Sequence, residues 1–306
     1  MKKFFLLGAL LIILGFTYMY KEEIVITVNE LINNNSNKLI TLDNKNEYYR
    51  DYDFDFVQNT TYFSPTSRQD ILNIYYTVIN AGQDEFSFYC PKEYNNCLKE
   101  IKSIANDQAL LSHINNFVHP YNGFKHIETE YDSTGKVTIV IQKNYTKKKI
   151  EEINSKISEL KTNLINTNIT DEDNIKTIHD YIINNSKYDS DRTDNNIINY
   201  DSDIAYGPLM QGYGLCGGYT DAMELFLEIM NIESYKVSSD NHVWNAVKLD
   251  NTWYHLDLTW DDPVTSDKSD ILDHKFFLIN TSSLKQIELE QHIFDEKIYS
   301  ELKEAY

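Results

Sequence analysis

The chain has 306 residues, 42% hydrophobic and 13% aromatic, enough for one large packed domain or two ordinary ones and too apolar for global disorder. Its 28 Lys and Arg stand against 47 Asp and Glu, a formal charge of −19. That balance excludes a nucleic-acid binder, because phosphate contact needs clustered cations.

Lys2 and Lys3 precede an uncharged run from Phe4 to Tyr20, which ends at Lys21-Glu22-Glu23. As a helix the run is about 26 Å long, slightly under the ~30 Å hydrocarbon core. Its end, Phe16-Thr17-Tyr18-Met19-Tyr20, is bulky and aromatic like an interfacial anchor, and lacks the small residues that signal cleavage uses. Residues 1–20 read as an uncleaved transmembrane anchor in preference to a cleaved signal peptide. In either case the body is expected outside: at the cell membrane through residues 4–20, or secreted if the segment is cut. Export makes the cysteines informative. Cys90 and Cys97 bracket a short polar loop and are the disulfide candidates, a bridge that could add roughly 2–3 kcal/mol. Cys216 is then the odd thiol, unless all three are reduced.

Residues 21–66 are Asn-, Asp- and Tyr-rich and read as a polar stalk. A small α+β domain is expected over 67–165. Ile71, Leu72, Tyr75, Val78 and Ile79 recur at helical spacing and stop at Gly82. Glu85 to Tyr89 is a short strand candidate. Leu98 to Phe117 carries one long helix or two, ending before Pro120. Residues 124–131 and 136–143 form a hairpin about Asp132-Ser133-Thr134-Gly135. Ile150, Ile153, Ile157, Leu160 and Leu164 make an apolar seam that fits a helix packed along its own domain better than a coiled-coil dimer. Thr170 and Asp173 offer a capping box for a helix opening a second domain, 168–306.

Chemistry concentrates between 206 and 263. Five of the ten glycines fall in 207–218, and all three tryptophans in 244–260. Cys216 opens a helix that is apolar almost all round, where unpaired N–H groups and the helix dipole stabilise a thiolate by ~0.3–1 kcal/mol. Taken alone, a cysteine is more often core than nucleophile. His242 to Leu249 reads as a strand, Asp250-Asn251 as a two-residue turn, and Thr252 to Thr259 as the returning strand. That register sets His242 opposite Thr259 and puts Asp257 on the same face, diagonally across. Thiol catalysis needs these three parts: a nucleophile, a base, and a carboxylate to fix the base's tautomer. The Cys216 N–H is a natural oxyanion donor, with Gln211 as a side-chain candidate.

Three segments carry a family likeness: Gly214-Leu215-Cys216-Gly217-Gly218-Tyr219, His242-Val243-Trp244-Asn245, and Trp253 through Pro263. Together with Ile178-His179-Asp180-Tyr181 and His274-Lys275-Phe276-Phe277-Leu278, they resemble the transglutaminase-like core of bacterial proteins. The resemblance covers roughly residues 168–285. It implies an α+β, papain-like domain with a catalytic triad at Cys216, His242 and Asp257, acting through a thioester that passes to water or to an amine. Animal transglutaminases typically carry Trp after the cysteine; here Gly217 follows, and no calcium-site pattern is evident. His255 is a rival base on the face of Asp257, and the family pattern selects His242. Trp244 and Trp260 are candidates for lining the cleft, with core packing the alternative. Zinc on Cys216, His242, His255 and Asp257 lacks any paired ligand spacing, so no metal or cofactor is expected. The substrate expected is a protein or peptide of the cell envelope or surface, with hydrolysis ahead of amine transfer. The reading from another class is a surface binding or adhesion module that keeps the fold without turnover. A third is an enzyme held inactive by its own N-terminal part.

Overall fold

The computed structural model describes residues 40–42, 44–263, 271–287 and 290–303. The apolar run at 4–20, on which the anchor rests, lies outside them. Among the described residues no helix is long and apolar enough to cross a membrane.

Helix α1 (Arg68–Asn80) starts with a complete capping box between Ser67 and Asp70. Strand β1 (Glu85–Tyr89) follows, and then two helices, α2 (Cys97–Ala105) and α3 (Gln108–Asn115). The chain breaks between them because Asp107 turns its carboxylate onto the Leu110 N–H and caps the second helix. Strands β2 (Phe124–Tyr131) and β3 (Lys136–Lys143) form the hairpin, and β1 adds to the far side of β3, all antiparallel. Cys90 and Cys97 are joined, with Cα atoms 5.7 Å apart, so the bridge ties the end of β1 to the start of α2.

Helix α4 (Lys147–Leu164) buries Ile153, Ile157 and Leu160 within the chain's own core, which is where its apolar seam goes. Helix α5 (Asp171–Asn185) begins at Thr170, whose hydroxyl accepts from the Asp173 N–H. Strand β4 (Lys187–Tyr188) and the short helix α6 (Ser190–Asn195) lead to β5 (Tyr213–Gly214), which pairs parallel to β4. Helix α7 (Cys216–Ile229) then packs on an antiparallel sheet of β6 (Ser234–Ser238), β7 (Val243–Leu249) and β8 (Thr252–Leu256). Helices α8 (Leu258–Asp261) and α9 (Thr281–Ile287) complete the named elements.

The β6–β8 sheet divides two apolar cores. On one face Tyr235, Val237, Trp244 and Ala246 join α1, α2, α3 and the first sheet. On the other, Val247 and Leu256 join α4, α5 and α7. Period-two alternation along β7 produces this split.

Two expectations are corrected here, and a third is met by a shared core. Residues 40–66 are not a polar stalk. Phe54, Val57 and Phe63 are buried in the first core, and the Arg50 guanidinium reaches Glu224 of α7 at 2.6 Å, with both side chains buried. The apolar residues of this segment follow neither the helical nor the strand period, so its composition hid its packing. The first core draws buried residues from both 67–165 and 168–306, so the expected boundary does not separate the cores. The returning strand ends at Leu256 rather than Thr259, because Asp257 leaves the ladder to cap α8.

Candidate active site

Residues 201–204 lie directly on the first turn of α7. The Leu215 N–H donates to the Ser202 carbonyl at 2.8 Å. A Cβ at Gly217 would stand 2.7 Å from the Asp203 carbonyl oxygen, and one at Gly218 would stand 2.2 Å from that of Ser202. Only glycine lets these backbones approach so closely. The pair therefore seats the helix start and leaves Cys216 half-buried, with a free thiol. The Thr220 hydroxyl meets the carbonyls of Cys216 and Val243, at 2.7 and 3.1 Å, joining the helix to the start of β7.

His242 lies just before β7. The turn at Asp250-Asn251 has two residues, both at positive φ (48° and 62°), and Leu249 pairs with Thr252. That register puts His242 and Asp257 on one face, although Asp257 sits past the end of β8. Its Oδ2 is 2.5 Å from His242 Nε2. Its Oδ1 accepts from the Thr259 and Trp260 N–H groups, at 2.9 and 3.3 Å. With Nε2 turned to the carboxylate, Nδ1 is the nitrogen left for a further partner, and Cys216 interacts with the imidazole so as to favour its charged form.

Electrostatics favours a charged imidazole. Burial pushes the His242 imidazole down, but the Asp257 charge and hydrogen bond, helped by Cys216, carry it up to about 10. Asp257 is the reciprocal case. Burial pushes its carboxyl up, and the charge and hydrogen bond of His242, with those of His292, hold it far below the usual carboxylate range.

His292 carries no partner pattern in the sequence, and sequence reasoning does not find it. It is buried, stacks on Phe276, and brings Nε2 to 2.8 Å from the same Asp257 Oδ2. Its Nδ1 has no hydrogen-bond partner among the described residues. It lies 35 residues beyond Asp257, past a loop, and no spacing rule links the two. His255, the rival base, is occupied elsewhere. It accepts from Trp244 Nε1 at 2.9 Å, and its Nε2 meets the Thr281 hydroxyl at 3.0 Å. Burial and the nearby His292 push it down to about 3, so it is neutral and structural.

The other candidates take quieter places. Trp244 is 1% exposed and stacks beneath the His242 ring, so it belongs to the core. Trp260 packs obliquely on Phe276 and His292, behind the carboxylate. Gln211 commits its side-chain oxygen to the Asp201 N–H and does not line the cleft that holds Cys216. That cleft has a volume of about 560 Å³. Cys216 and His242 open onto it, α3 supplies Ser112 and His113, and Asp240 and Asp295 stand at its edges. A half-exposed thiol, an imidazole on the same cleft and a buried carboxylate behind the imidazole make an arrangement able to attack a carbonyl.

Residues 158–258 match the model of the transglutaminase-like superfamily, a span that contains Cys216, His242 and Asp257. This stretch is a transglutaminase-like domain. The superfamily's members are generally cysteine-dependent enzymes. Two of the solved structures that align with the chain can be named. One is a TGase, 15% identical over 44% of this chain and 44% of that chain, with a TM-score of 0.33. The other is a candidate cysteine protease from Cytophaga hutchinsonii, 12% identical over 44% of this chain and 61% of that chain, with a TM-score of 0.28. The chain thus spans less than two thirds of either structure. No curated protein matches it.

Proposed function

We propose that the chain is an extracytoplasmic thiol enzyme that attacks a peptide, isopeptide or carboxamide carbonyl through Cys216. The observation that carries this reading is the His242–Asp257 pair at 2.5 Å, whose imidazole opens with the Cys216 thiol onto one cleft. The thiolate adds to the carbonyl carbon, and the resulting oxyanion meets the Cys216 N–H at the helix start. As the C–N bond breaks, His242 Nδ1–H gives its proton to the departing amine, leaving a thioester and a neutral imidazole. Water then attacks the thioester while His242 takes its proton, which releases the acid and restores the thiol. Asp257 keeps the ring's tautomer through both halves and balances the imidazolium.

Hydrolysis is favoured over amine transfer. Position 217 has no room for the tryptophan that follows the nucleophile in animal transglutaminases, because the Asp203 carbonyl occupies its place. The apolar run at 4–20 would hold the catalytic part at the outer membrane surface, among envelope proteins. The test is product partition. Glutamine-bearing peptides are incubated with the chain, with and without a primary amine, and the products are weighed. Cleaved or deamidated peptide that disappears in Cys216→Ala supports the reading. A predominant amine adduct reverses the order of outcomes. No product of either kind, with Cys216 no more reactive than a free thiol, sinks the enzyme reading in favour of a binding module.

A further inference from the structure

Outside the triad, one cluster gathers two histidines, a carboxylate and an ammonium so closely that its ring nitrogens face conflicting partners. His179, on α5, is fully buried between two carboxylates: Nδ1 is 2.9 Å from Asp180 Oδ1, and Nε2 is 3.2 Å from the buried Asp261 Oδ2. A neutral imidazole has one N–H, so one of these contacts sets a lone pair against a carboxylate. His274 repeats the conflict on a single atom. Its Nε2 lies 2.6 Å from Asp180 Oδ1 and 2.5 Å from the Lys176 ammonium, yet one nitrogen cannot donate to the first and accept from the second. A second proton on His179 would let both its nitrogens donate, but no proton resolves His274, whose Nε2–H would turn onto the ammonium.

We propose that His179 Nδ1, His274 Nε2 and the Asp180 carboxylate bind a divalent cation of the zinc class. All three ligand atoms lie within 4.8 Å of one another. Two imidazoles and a carboxylate suit zinc, with water or the second Asp180 oxygen completing a tetrahedron. The cation takes both nitrogen lone pairs and frees His179 Nε2–H to donate to Asp261, the usual outer carboxylate behind a ligating histidine. Lys176, which is half-exposed and also 3.1 Å from Asp180 Oδ2, stands in for that cation and swings out when it arrives.

The site's position gives the ion a structural task. Asp261 accepts from the Asp273 N–H through its carbonyl and from the Phe276 N–H through Oδ1, both at 2.9 Å. Phe276 in turn accepts from the Asp257 N–H at 3.1 Å. A cation here ties α5 to the loop that supports Asp257. It touches none of the triad, so the inference stands apart from the thiol chemistry.

The test is zinc titration of the chelator-treated full-length chain by calorimetry, repeated with cobalt for its visible spectrum. Four chains are compared: wild type, His274→Ala, Lys176→Met and Cys216→Ala. Both altered residues of the new site reach solvent, so His274→Ala and Lys176→Met are expected to fold. One zinc should bind, weakened at least about 10-fold by His274→Ala, the scale of losing a metal-shell group. Lys176→Met should tighten it by removing the competing ammonium. Cys216→Ala should leave it unchanged, with no sulfur-to-cobalt charge-transfer band. Absence of zinc binding overturns the proposal. So does binding that survives His274→Ala, or that vanishes with Cys216→Ala.

Discussion

Replacing Asp257 by Asn preserves the side chain's shape and removes its charge, which makes it an incisive perturbation of the triad. The carboxylate receives four hydrogen bonds: two backbone N–H groups on Oδ1, and His242 and His292 on Oδ2. An asparagine that keeps the two backbone donors must turn its NH2 group toward both imidazoles, which themselves donate at that point. His242 then protonates at Nδ1 alone and has no lone pair to offer the thiol. In the intact site His242 rises from its ordinary 6.5 to about 10, equivalent to roughly 5 kcal/mol in favour of the imidazolium. Asp257 supplies the largest upward contribution, so most of that preference goes with it. Thiol alkylation reads this directly. With iodoacetamide at about pH 6, Asp257→Asn should react on the order of 10²-fold more slowly than wild type, and His242→Ala at least as slowly. His292→Phe keeps the stack on Phe276 and the bond to His242, and should lose less. Asp257→Asn alkylating as fast as wild type would refute the reasoning, because the carboxylate would then have no hold on the imidazole.

Further consequences concern stability. The raised folded-state His242 value means its contribution is fully present below about pH 6.5 and is lost as pH climbs toward about 10. In a Cys216→Ala background, denaturant unfolding should weaken across that window, and His242→Ala should flatten the slope; equal slopes would contradict it. Converting Cys90 and Cys97 to Ala should cost roughly 2–3 kcal/mol by the same measurement, and no loss would show that the bridge is energetically idle. Arg50→Ala strands the Glu224 carboxylate in the core and should cost about 3–5 kcal/mol, whereas replacing both partners with apolar residues should cost less. A negligible loss from Arg50→Ala would mean that residues 40–66 are dispensable.

Much of this structure was legible in the residues, for identifiable reasons. Asp250-Asn251 both tolerate positive φ, so the two-residue turn and the Leu249–Thr252 register followed, and with them the shared face of His242 and Asp257. The crowding of glycines in 207–218 marked the constrained stretch, although what Gly217 and Gly218 serve there is close approach to the carbonyls of residues 203 and 202. What stayed hidden was long-range. His292 reaches Asp257 from across a loop, and Arg50 reaches Glu224 across 174 residues. Neither contact leaves a periodic trace. The core shared across the expected boundary was also hidden, because the alternation of β7 shows that both faces are occupied without naming what covers each. Trp244 and Ala246 are covered by residues from the first half of the chain. Deleting residues 1–165 would strip that cover, so such a truncation tests unfolding and not autoinhibition.

The thioester itself is the most direct target. The chain is mixed briefly with an activated acyl ester, quenched in acid and weighed intact, beside Cys216→Ala and His242→Ala. A single acyl adduct that maps to Cys216, is absent from Cys216→Ala and forms slowly in His242→Ala is the result expected of a thiol acyl-enzyme. An adduct that forms equally on all three chains, or none on wild type, would contradict it.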